Sequence, residues 1–230
     1  MMTTPPRQLT LDWPHRPSFA REDFLSAPSN RDAIGAIDRW PDWPGRMLLL
    51  VGPEGSGKSH LAALWAETAC AVAVRGEDLA DESARVSVDG AALLIEDADR
   101  VGDAEERLFH LLNSALHTAA WVLLTARRPP DAWGLTIPDL LSRLRLAPVL
   151  RLEAPDIELI EAVLFKLFSD RQLQVEPRVI AYIASRIDRS LGAARRLVAA
   201  LDREALAKGG PVTRAMAAEV MRVITSHEPP

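Results

Sequence analysis

The feature that most constrains this chain is the octapeptide Gly52-Pro53-Glu54-Gly55-Ser56-Gly57-Lys58-Ser59. It matches the phosphate-binding pattern G-x-x-x-x-G-K-[ST] at every fixed position. An apolar run with strand character, residues 47–51, precedes it, and a helical stretch, residues 60–69, follows it. In this order of strand, glycine loop and helix, consecutive backbone N–H groups and the helix N-terminus point at one anion. The octapeptide therefore predicts nucleotide binding.

The polar groups of this loop have separate predicted roles. Lys58 reaches the β- and γ-phosphates of a nucleotide, and the Ser59 hydroxyl is a ligand of Mg²⁺. The predicted cofactors are therefore ADP or ATP together with Mg²⁺. The residues of this region predicted to bind the nucleotide are Gly52, Pro53, Glu54, Gly55, Ser56, Gly57, Lys58, Ser59 and His60.

Composition narrows the class of protein further. The 230 residues are 48% hydrophobic and 26% charged, which is typical of a globular domain. The single cysteine, Cys70, excludes an internal disulfide, and its apolar neighbours predict that it is buried. The sequence has no apolar run of the roughly 20 residues that span a bilayer and no signal-peptide pattern, so we expect a cytoplasmic protein with no membrane partner. A formal net charge of −5 argues against autonomous DNA binding.

The chain changes character near Pro155. Before it, short β-rich runs alternate with helical stretches, which predicts a parallel sheet covered by helices. The predicted strands are 47–51, 71–74, 91–95, 121–125 and 149–152. After it, apolar residues recur at helical spacing, and Ser190 and Thr213 are predicted helix caps. The predicted fold is α/β: a flexible arm (1–17), a nucleotide-binding domain with a five-stranded parallel sheet (18–155) and a small helical lid domain (156–226).

Two carboxylates, Glu96 and Asp97, end an apolar strand downstream of the phosphate loop. In proteins with such a loop, a carboxylate here helps to hold Mg²⁺ and its neighbour positions the attacking water. We predict that Glu96 is a metal ligand with Ser59 and that Glu96 and Asp97 are catalytic, the alternative being solvated acids at a strand end. Thr125 ends the next strand, where it can contact the γ-phosphate or the attacking water, or satisfy the backbone. The sequence leaves these interpretations of Thr125 open.

Two arginines, Arg143 and Arg145, precede the last predicted strand. An arginine at such a position can enter a neighbouring subunit's nucleotide site as an arginine finger acting in trans. Arg143 is the predicted catalytic arginine and Arg145 the second candidate, the alternative being a solvated helical arginine. Arg195 and Arg196, on the third lid helix, face either phosphate or water.

Together these residues resemble the AAA+ module of the bacterial replication initiator DnaA over about residues 19–224. Phe24-Leu25 and the run 28–31, which contains Asn30, resemble that family's entry segment, which packs over the adenine. The runs 124–130 and 141–144 follow in the family's order. The resemblance implies an AAA+ sheet-and-lid fold and a role for Asn30 in nucleotide binding.

A short arm before an AAA+ module is similar to the Hda proteins, which promote regulatory inactivation of DnaA. That resemblance implies a negative regulator of chromosomal replication initiation, associated with the nucleoid or replisome. Its implied partners are DnaA and the sliding clamp, the β subunit of DNA polymerase III, with DNA reached only through the clamp; self-association is left open. The arm resembles the family's clamp-binding peptide, and the implied contact residues are Gln8, Leu9, Leu11 and Trp13.

Three departures from the family's pattern imply weak or no intrinsic ATPase and action mainly on the partner's ATPase. Glu96 replaces the usual Asp, Gly192 falls where the arginine of the second sensor aligns, and Ala126-Arg127 replaces Ser-Asp. Two other functions stay open. A self-sufficient AAA+ ATPase or DnaC-like helicase loader needs an efficient Mg²⁺ site and basic contacts to single strands. A DNA-targeting scaffold is disfavoured by the acidic charge.

Overall fold

The computed structural model describes residues 24–81 and 92–225. Within these residues the chain forms five β-strands and eight α-helices. The strands are β1 (Met47–Val51), β2 (Val72–Arg75), β3 (Ala92–Glu96), β4 (Trp121–Ala126) and β5 (Val149–Arg151). The helices are α1 (Arg31–Asp38), α2 (Lys58–Ala69), α3 (Glu105–His117), α4 (Pro138–Leu146), α5 (Ile157–Asp170), α6 (Pro177–Ala184), α7 (Leu191–Lys208) and α8 (Arg214–Thr225).

All five strands are parallel, in the order β2-β3-β4-β1-β5. Every residue of β1 is buried, because this strand lies inside the sheet and helices cover both of its faces. That burial explains why the sequence of β1 is continuously apolar rather than alternating. The predicted α/β class with a five-stranded parallel sheet is confirmed.

Each face of the sheet has its own apolar core. Helices α3 and α4 cover one face, where Leu112 packs in the same cluster as Leu49 of β1. Helices α1 and α2 cover the other face, where Trp65 packs in the same cluster as Leu50. Adjacent strand residues serve opposite cores because side chains alternate along a strand. The sheet is therefore a rigid layer held from both sides.

Helices α5 to α8 form a bundle with a third core, which includes Leu164, Phe168, Ile183 and Leu201. Side chains cap the N-termini of three of these helices. Asp156 accepts a hydrogen bond from the Leu159 N–H at 2.7 Å, which caps α5. The predicted caps are also present: Ser190 Oγ accepts from Ala193 N–H at 3.3 Å, and Thr213 Oγ1 from Met216 N–H at 3.2 Å.

The carboxyl ends of the strands bring the segments of the candidate site together. The Gly52 N–H donates to the Ala126 carbonyl at 3.2 Å, and the Leu152 N–H donates to the Val51 carbonyl at 2.8 Å. The loop after β1 therefore lies between the ends of β4 and β5. In open α/β sheets this edge is where ligands bind.

Several local predictions need correction. Helix α2 begins at Lys58 rather than at His60, because the Gly57 carbonyl already accepts from the Leu61 N–H at 3.0 Å. Strand β2 begins at Val72, β4 continues to Ala126 and β5 ends at Arg151.

Cys70 is exposed rather than buried, since α2 ends there in a left-handed turn with φ 50°. Ala91, predicted to begin β3, lies outside the described residues. No helix in the described parts of the chain is both long enough and apolar enough to cross a bilayer.

Candidate nucleotide site

The loop between β1 and α2 has the backbone shape that its glycines predict. Gly55 and Gly57 have φ values of 74° and 101°, in the left-handed region that glycine occupies at little cost. At Gly52 a Cβ would lie 2.3 Å from the Leu152 carbonyl oxygen, so only glycine fits beside β5. The loop is thus curled tightly against the sheet edge before α2 begins.

Lys58 is held inside this loop. Its Nζ donates to the carbonyls of Gly52 at 2.8 Å and Pro53 at 2.7 Å, and the residue is 6% exposed. Burial of the ammonium lowers the pKa of Lys58 below its ordinary value, while the Asp97 carboxylate opposes that change. The structure therefore places a partly desolvated cation at the point where the loop closes.

The loop also contains a polar atom suited to an anion. Ser56 is 3% exposed, and its Oγ has no hydrogen-bond partner among the described residues. A buried hydroxyl without a partner is costly, and a phosphate oxygen would accept its hydrogen bond. Ser59 is exposed in the first turn of α2, where its hydroxyl can serve as a ligand to a metal ion. Together with the helix N-terminus, these groups fit the phosphates of a nucleotide.

The ends of β3 and β4 bring carboxylates and Thr125 to the same edge. The Asp97 N–H donates to Thr125 Oγ1 at 3.0 Å, and Thr125 is fully buried. Thr125 therefore satisfies the backbone of the neighbouring strand end, one of the two roles open to it. Asp97 has a left-handed backbone with φ 48° and pairs with Arg75, Nη2 to Oδ2, at 3.4 Å.

Glu96 is half-buried at the end of β3, which is separated from β1 by β4. Carboxylate and hydroxyl oxygens are suitable ligands for Mg²⁺, which keeps several waters and shares the nucleotide's phosphates. Glu96 and Ser59 fit that donor chemistry. No group of three or more His, Cys, Asp or Glu residues within residues 24–81 and 92–225 forms a protein-only metal cluster.

A cavity of about 570 Å³ lies beside the loop, within the usual size range of small-molecule sites. The entry segment and α2 supply one wall, and α5 and α7 supply the other. The lining residues are Phe24, Leu25, Asn30, His60, Leu159, Val163, Lys166, Leu167, Asp170, Arg171, Leu191, Arg195, Arg196 and Ala199. An apolar pocket edged by cations suits a planar base with phosphates at its mouth.

The entry segment is fixed by Asn30. Its Oδ1 accepts from the Ala27 N–H at 2.8 Å, and its Nδ2 donates to the Leu25 carbonyl at 3.0 Å. The Phe24 ring meets the His60 ring edge to face, with centroids 5.1 Å apart. Asn30 therefore lines the cavity and shapes the turn that places Phe24 against it.

The lid bundle contacts the phosphate loop directly. The Leu191 N–H, in the first turn of α7, donates to the Gly55 carbonyl at 2.9 Å. Further along α7, Arg195 contacts the Nδ1 atom of His60. Gly192 leaves room in the first turn, and Arg196 Nη1 lies 3.6 Å from where a Gly192 Cβ would be. Arg195 and Arg196 thus both line the cavity.

The two candidate finger arginines differ in their surroundings. The Arg143 guanidinium lies over the Phe109 ring of α3, 4.8 Å from its centroid, and the residue is half-buried. Arg145 is exposed and pairs with Asp131, with its Nε 2.9 Å from Oδ1. Within the described residues, Arg143 has no carboxylate partner. Its donors are therefore available to another molecule, whereas those of Arg145 are engaged.

Four predicted contact residues, Gln8, Leu9, Leu11 and Trp13, lie outside the described residues. Other contributors went unrecognised in the sequence. The cavity wall from α5 combines Leu159, Val163 and Leu167, and apolar spacing along a helix does not distinguish a core-facing stripe from a ligand-facing one. The ion pair between Arg127 and Glu54 joins two distant segments and has no local sequence signal.

A parallel sheet of this order, with a phosphate loop after β1 and a helical bundle against that loop, defines the class of P-loop nucleotide-binding folds. No family model matches the chain. In sequence it is 26% identical to the chromosomal replication initiator DnaA of Cutibacterium acnes over 200 residues, which cover 76% of this chain and 40% of that protein. It is 28% identical to DnaA of Thermomicrobium roseum over an alignment of 245 residues, which covers 90% of this chain and 50% of that protein. The chain thus spans half or less of the length of these relatives.

Solved structures match the fold over most of the chain. Domain III of Thermotoga maritima DnaA matches with a TM-score of 0.79 at 22% identity, covering 90% of this chain and 97% of that one. AMPPCP-bound DnaA of Aquifex aeolicus matches with a TM-score of 0.69 at 17% identity, and the match covers 92% of this chain and 71% of that one. The chain is therefore similar in sequence to DnaA, and its fold is that of DnaA domain III.

Proposed function

We propose that this chain is a nucleotide-binding AAA+ module that takes ADP or ATP together with Mg²⁺. The observation that carries the proposal is the loop itself, with Lys58 Nζ held 2.8 Å from the Gly52 carbonyl and the Ser56 hydroxyl buried without a partner among the described residues. The loop N–H groups and Lys58 would bind the phosphates, and the cavity beside Phe24 would bind the base. Ser59 and Glu96 would hold Mg²⁺, which neutralises phosphate charge when it is bound. The Aquifex aeolicus relative, bound to AMPPCP, supports this assignment.

Its role is the regulation of replication initiation, with the initiator DnaA as partner. Relatedness to DnaA supports a place in the initiation machinery. The half-buried Arg143, stacked on Phe109 and without a carboxylate partner among the described residues, supports a finger that acts in trans. An arginine placed against the γ-phosphate of a neighbouring subunit stabilises the charge that develops during transfer. This chain would then lower the amount of ATP-bound initiator.

The predicted arm supplies the tether in this account. Gln8, Leu9, Leu11 and Trp13 would bind the sliding clamp, which would bring this protein of formal net charge −5 to DNA. The proposed organisation keeps the arm at 1–17, the nucleotide-binding domain at 18–155 and the lid at 156–226. The place of action is the nucleoid, in the cytoplasm.

Hydrolysis within this chain's own site is expected to be slow. Gly192 stands in the first turn of α7 where the family's second-sensor arginine aligns, although Arg195 and Arg196 of the same helix line the cavity. Glu96, one methylene longer than Asp, would hold the metal from a different position. These features favour a regulator over a self-sufficient ATPase or helicase loader.

The test is the rate of ATP hydrolysis by purified initiator, measured with and without this protein and with and without clamp loaded on DNA. We expect stimulation that depends on the clamp and on bound nucleotide. If this protein alone hydrolysed ATP as fast as its mixture with the initiator, the result would instead indicate a self-sufficient ATPase.

A further inference from the structure

Arg127 lies beside the phosphate loop although it is distant from it in sequence. It follows the last residue of β4, Ala126, whose carbonyl accepts the Gly52 N–H at 3.2 Å. The Arg127 N–H donates to Asp99 Oδ2 at 3.0 Å, which anchors its backbone. The base of this side chain is therefore fixed next to the first residue of the loop.

The guanidinium reaches over the loop and pairs with Glu54, with Nη1 2.9 Å from Oε2. The two side chains are 45% and 75% exposed, so water competes with the pair and it adds little to stability. The Arg127 charge is also among the influences that lower the pKa of Lys58, which places it within electrostatic range of that ammonium. Two cations thus converge on the loop, and one of them is held by a weak partner.

The position of Arg127 indicates which part of a nucleotide it would meet. The cavity for the base lies on the side of Phe24, His60 and α7. Arg127 lies on the opposite side, at the ends of β3 and β4, with Asp97 and Asp99. The terminal phosphate of a bound nucleotide points to that side, toward the carboxylates that accompany the metal.

We propose that Arg127 is a further nucleotide-binding residue, whose guanidinium leaves Glu54 for the terminal phosphate of a nucleoside triphosphate in the same chain. This inference rests on the proposed function, since it requires that the loop bind nucleotide. Arginine is suited to the role because its planar fork donates two hydrogen bonds to one phosphate. Glu54 is then a competitor: it holds the fork near the loop when no γ-phosphate is present and is left in water, at little cost, when one is. Arg127 would thereby help the site to discriminate ATP from ADP.

The experiment is calorimetric titration of the full chain with ADP and with AMPPCP, each with Mg²⁺, for wild type, Arg127→Ala, Glu54→Gln and the charge-matched control Arg178→Ala. Arg178 is an exposed residue of α6 that pairs with Glu176, outside the cavity. We expect Arg127→Ala to weaken AMPPCP about tenfold or more, the usual worth of a charged hydrogen bond, and to leave ADP within about twofold. Glu54→Gln should tighten AMPPCP by up to about fivefold, because an exposed pair is lost. Arg178→Ala should match wild type.

Two failures can be told apart. If wild type binds neither nucleotide, the proposed function fails and this inference fails with it. If wild type binds both, but Arg127→Ala keeps the wild-type ratio of AMPPCP to ADP affinity, Arg127 is a surface ion-pair residue and this inference alone is overturned. Weaker AMPPCP binding by Glu54→Gln would likewise overturn it, because Glu54 would then assist rather than compete.

Discussion

The backbone N–H of Leu191 donates to the carbonyl of Gly55 at 2.9 Å, so the first turn of lid helix α7 is tied directly to the phosphate loop. A Cβ on Gly55 would lie 2.0 Å from Ser190 Oγ, and Gly55 has φ 74°. We therefore expect a change in the loop at this point to affect the lid. The contact gives the bundle a means of responding to what the loop binds.

Gly55→Ala should separate the lid from the loop. We expect a loss of nucleotide affinity and a drop in the free energy of unfolding of about 2–4 kcal/mol, from left-handed strain and the clash together. Gly134→Ala is the matched control, since Gly134 has φ 76° but nothing within 4 Å of a new Cβ. That variant should lose only about 1–2 kcal/mol and keep its ADP affinity. Equal effects of the two variants on affinity, by denaturant unfolding and calorimetry, would argue against a coupled lid.

Lys58→Ala should abolish nucleotide binding, because it removes the cation proposed to bind the β- and γ-phosphates. The fold should persist, since the ammonium is desolvated and, among the described residues, donates to the carbonyls of Gly52 and Pro53. Calorimetry with ADP, alongside circular dichroism, checks both statements. Unchanged ADP affinity would reject the phosphate-loop assignment.

Nucleotide affinity should also depend on pH through Lys58. Burial lowers the pKa of Lys58 below 10.5, whereas bound phosphate favours the charged form of Lys58. As pH rises, the free protein therefore loses the Lys58 proton before the nucleotide complex does. ADP affinity should therefore fall as pH rises through that lowered pKa. Lys58→Arg stays charged to above about pH 12 and should give a flat profile over the same range. Parallel profiles for the two proteins would show that another group titrates.

Substitution of Gln8, or of both Leu9 and Leu11, by Ala should eliminate binding to the sliding clamp, because a few anchoring side chains carry most of the energy of a short peptide. ADP affinity should not change and serves as the control for folding. Co-elution of either variant with the clamp would remove the arm from the account.

The sheet and the loop were predictable because their signals are local. Continuous apolar runs such as Met47–Val51 indicate strands that are buried on both faces. The glycine positions of the loop pattern determine the backbone conformation of the loop. The wall of the cavity was not predictable in the same way, because Leu159 and Leu191 line the same cavity as Phe24 only after the bundle has packed.

The pair between Arg127 and Glu54 depends equally on strand order, which places β4 beside β1. Cys70 was predicted buried from its apolar neighbours, but it ends α2 in a left-handed turn, and helix ends lie where the chain reverses at the surface. Local pattern thus determined the elements, and contacts between distant segments determined the site.

The most direct test of the central claim is single-turnover ATP hydrolysis by the initiator in the presence of clamp on DNA and of the Arg143→Ala protein. The variant should keep its fold, its ADP affinity and its binding to the clamp, yet lose stimulation by roughly 10³-fold or more, the range measured for fingers acting in trans. Arg145→Ala is the control, since Arg145 is engaged with Asp131 and should affect the rate little. Full stimulation by Arg143→Ala would contradict the account, and loss in Arg145→Ala alone would transfer the role to that residue.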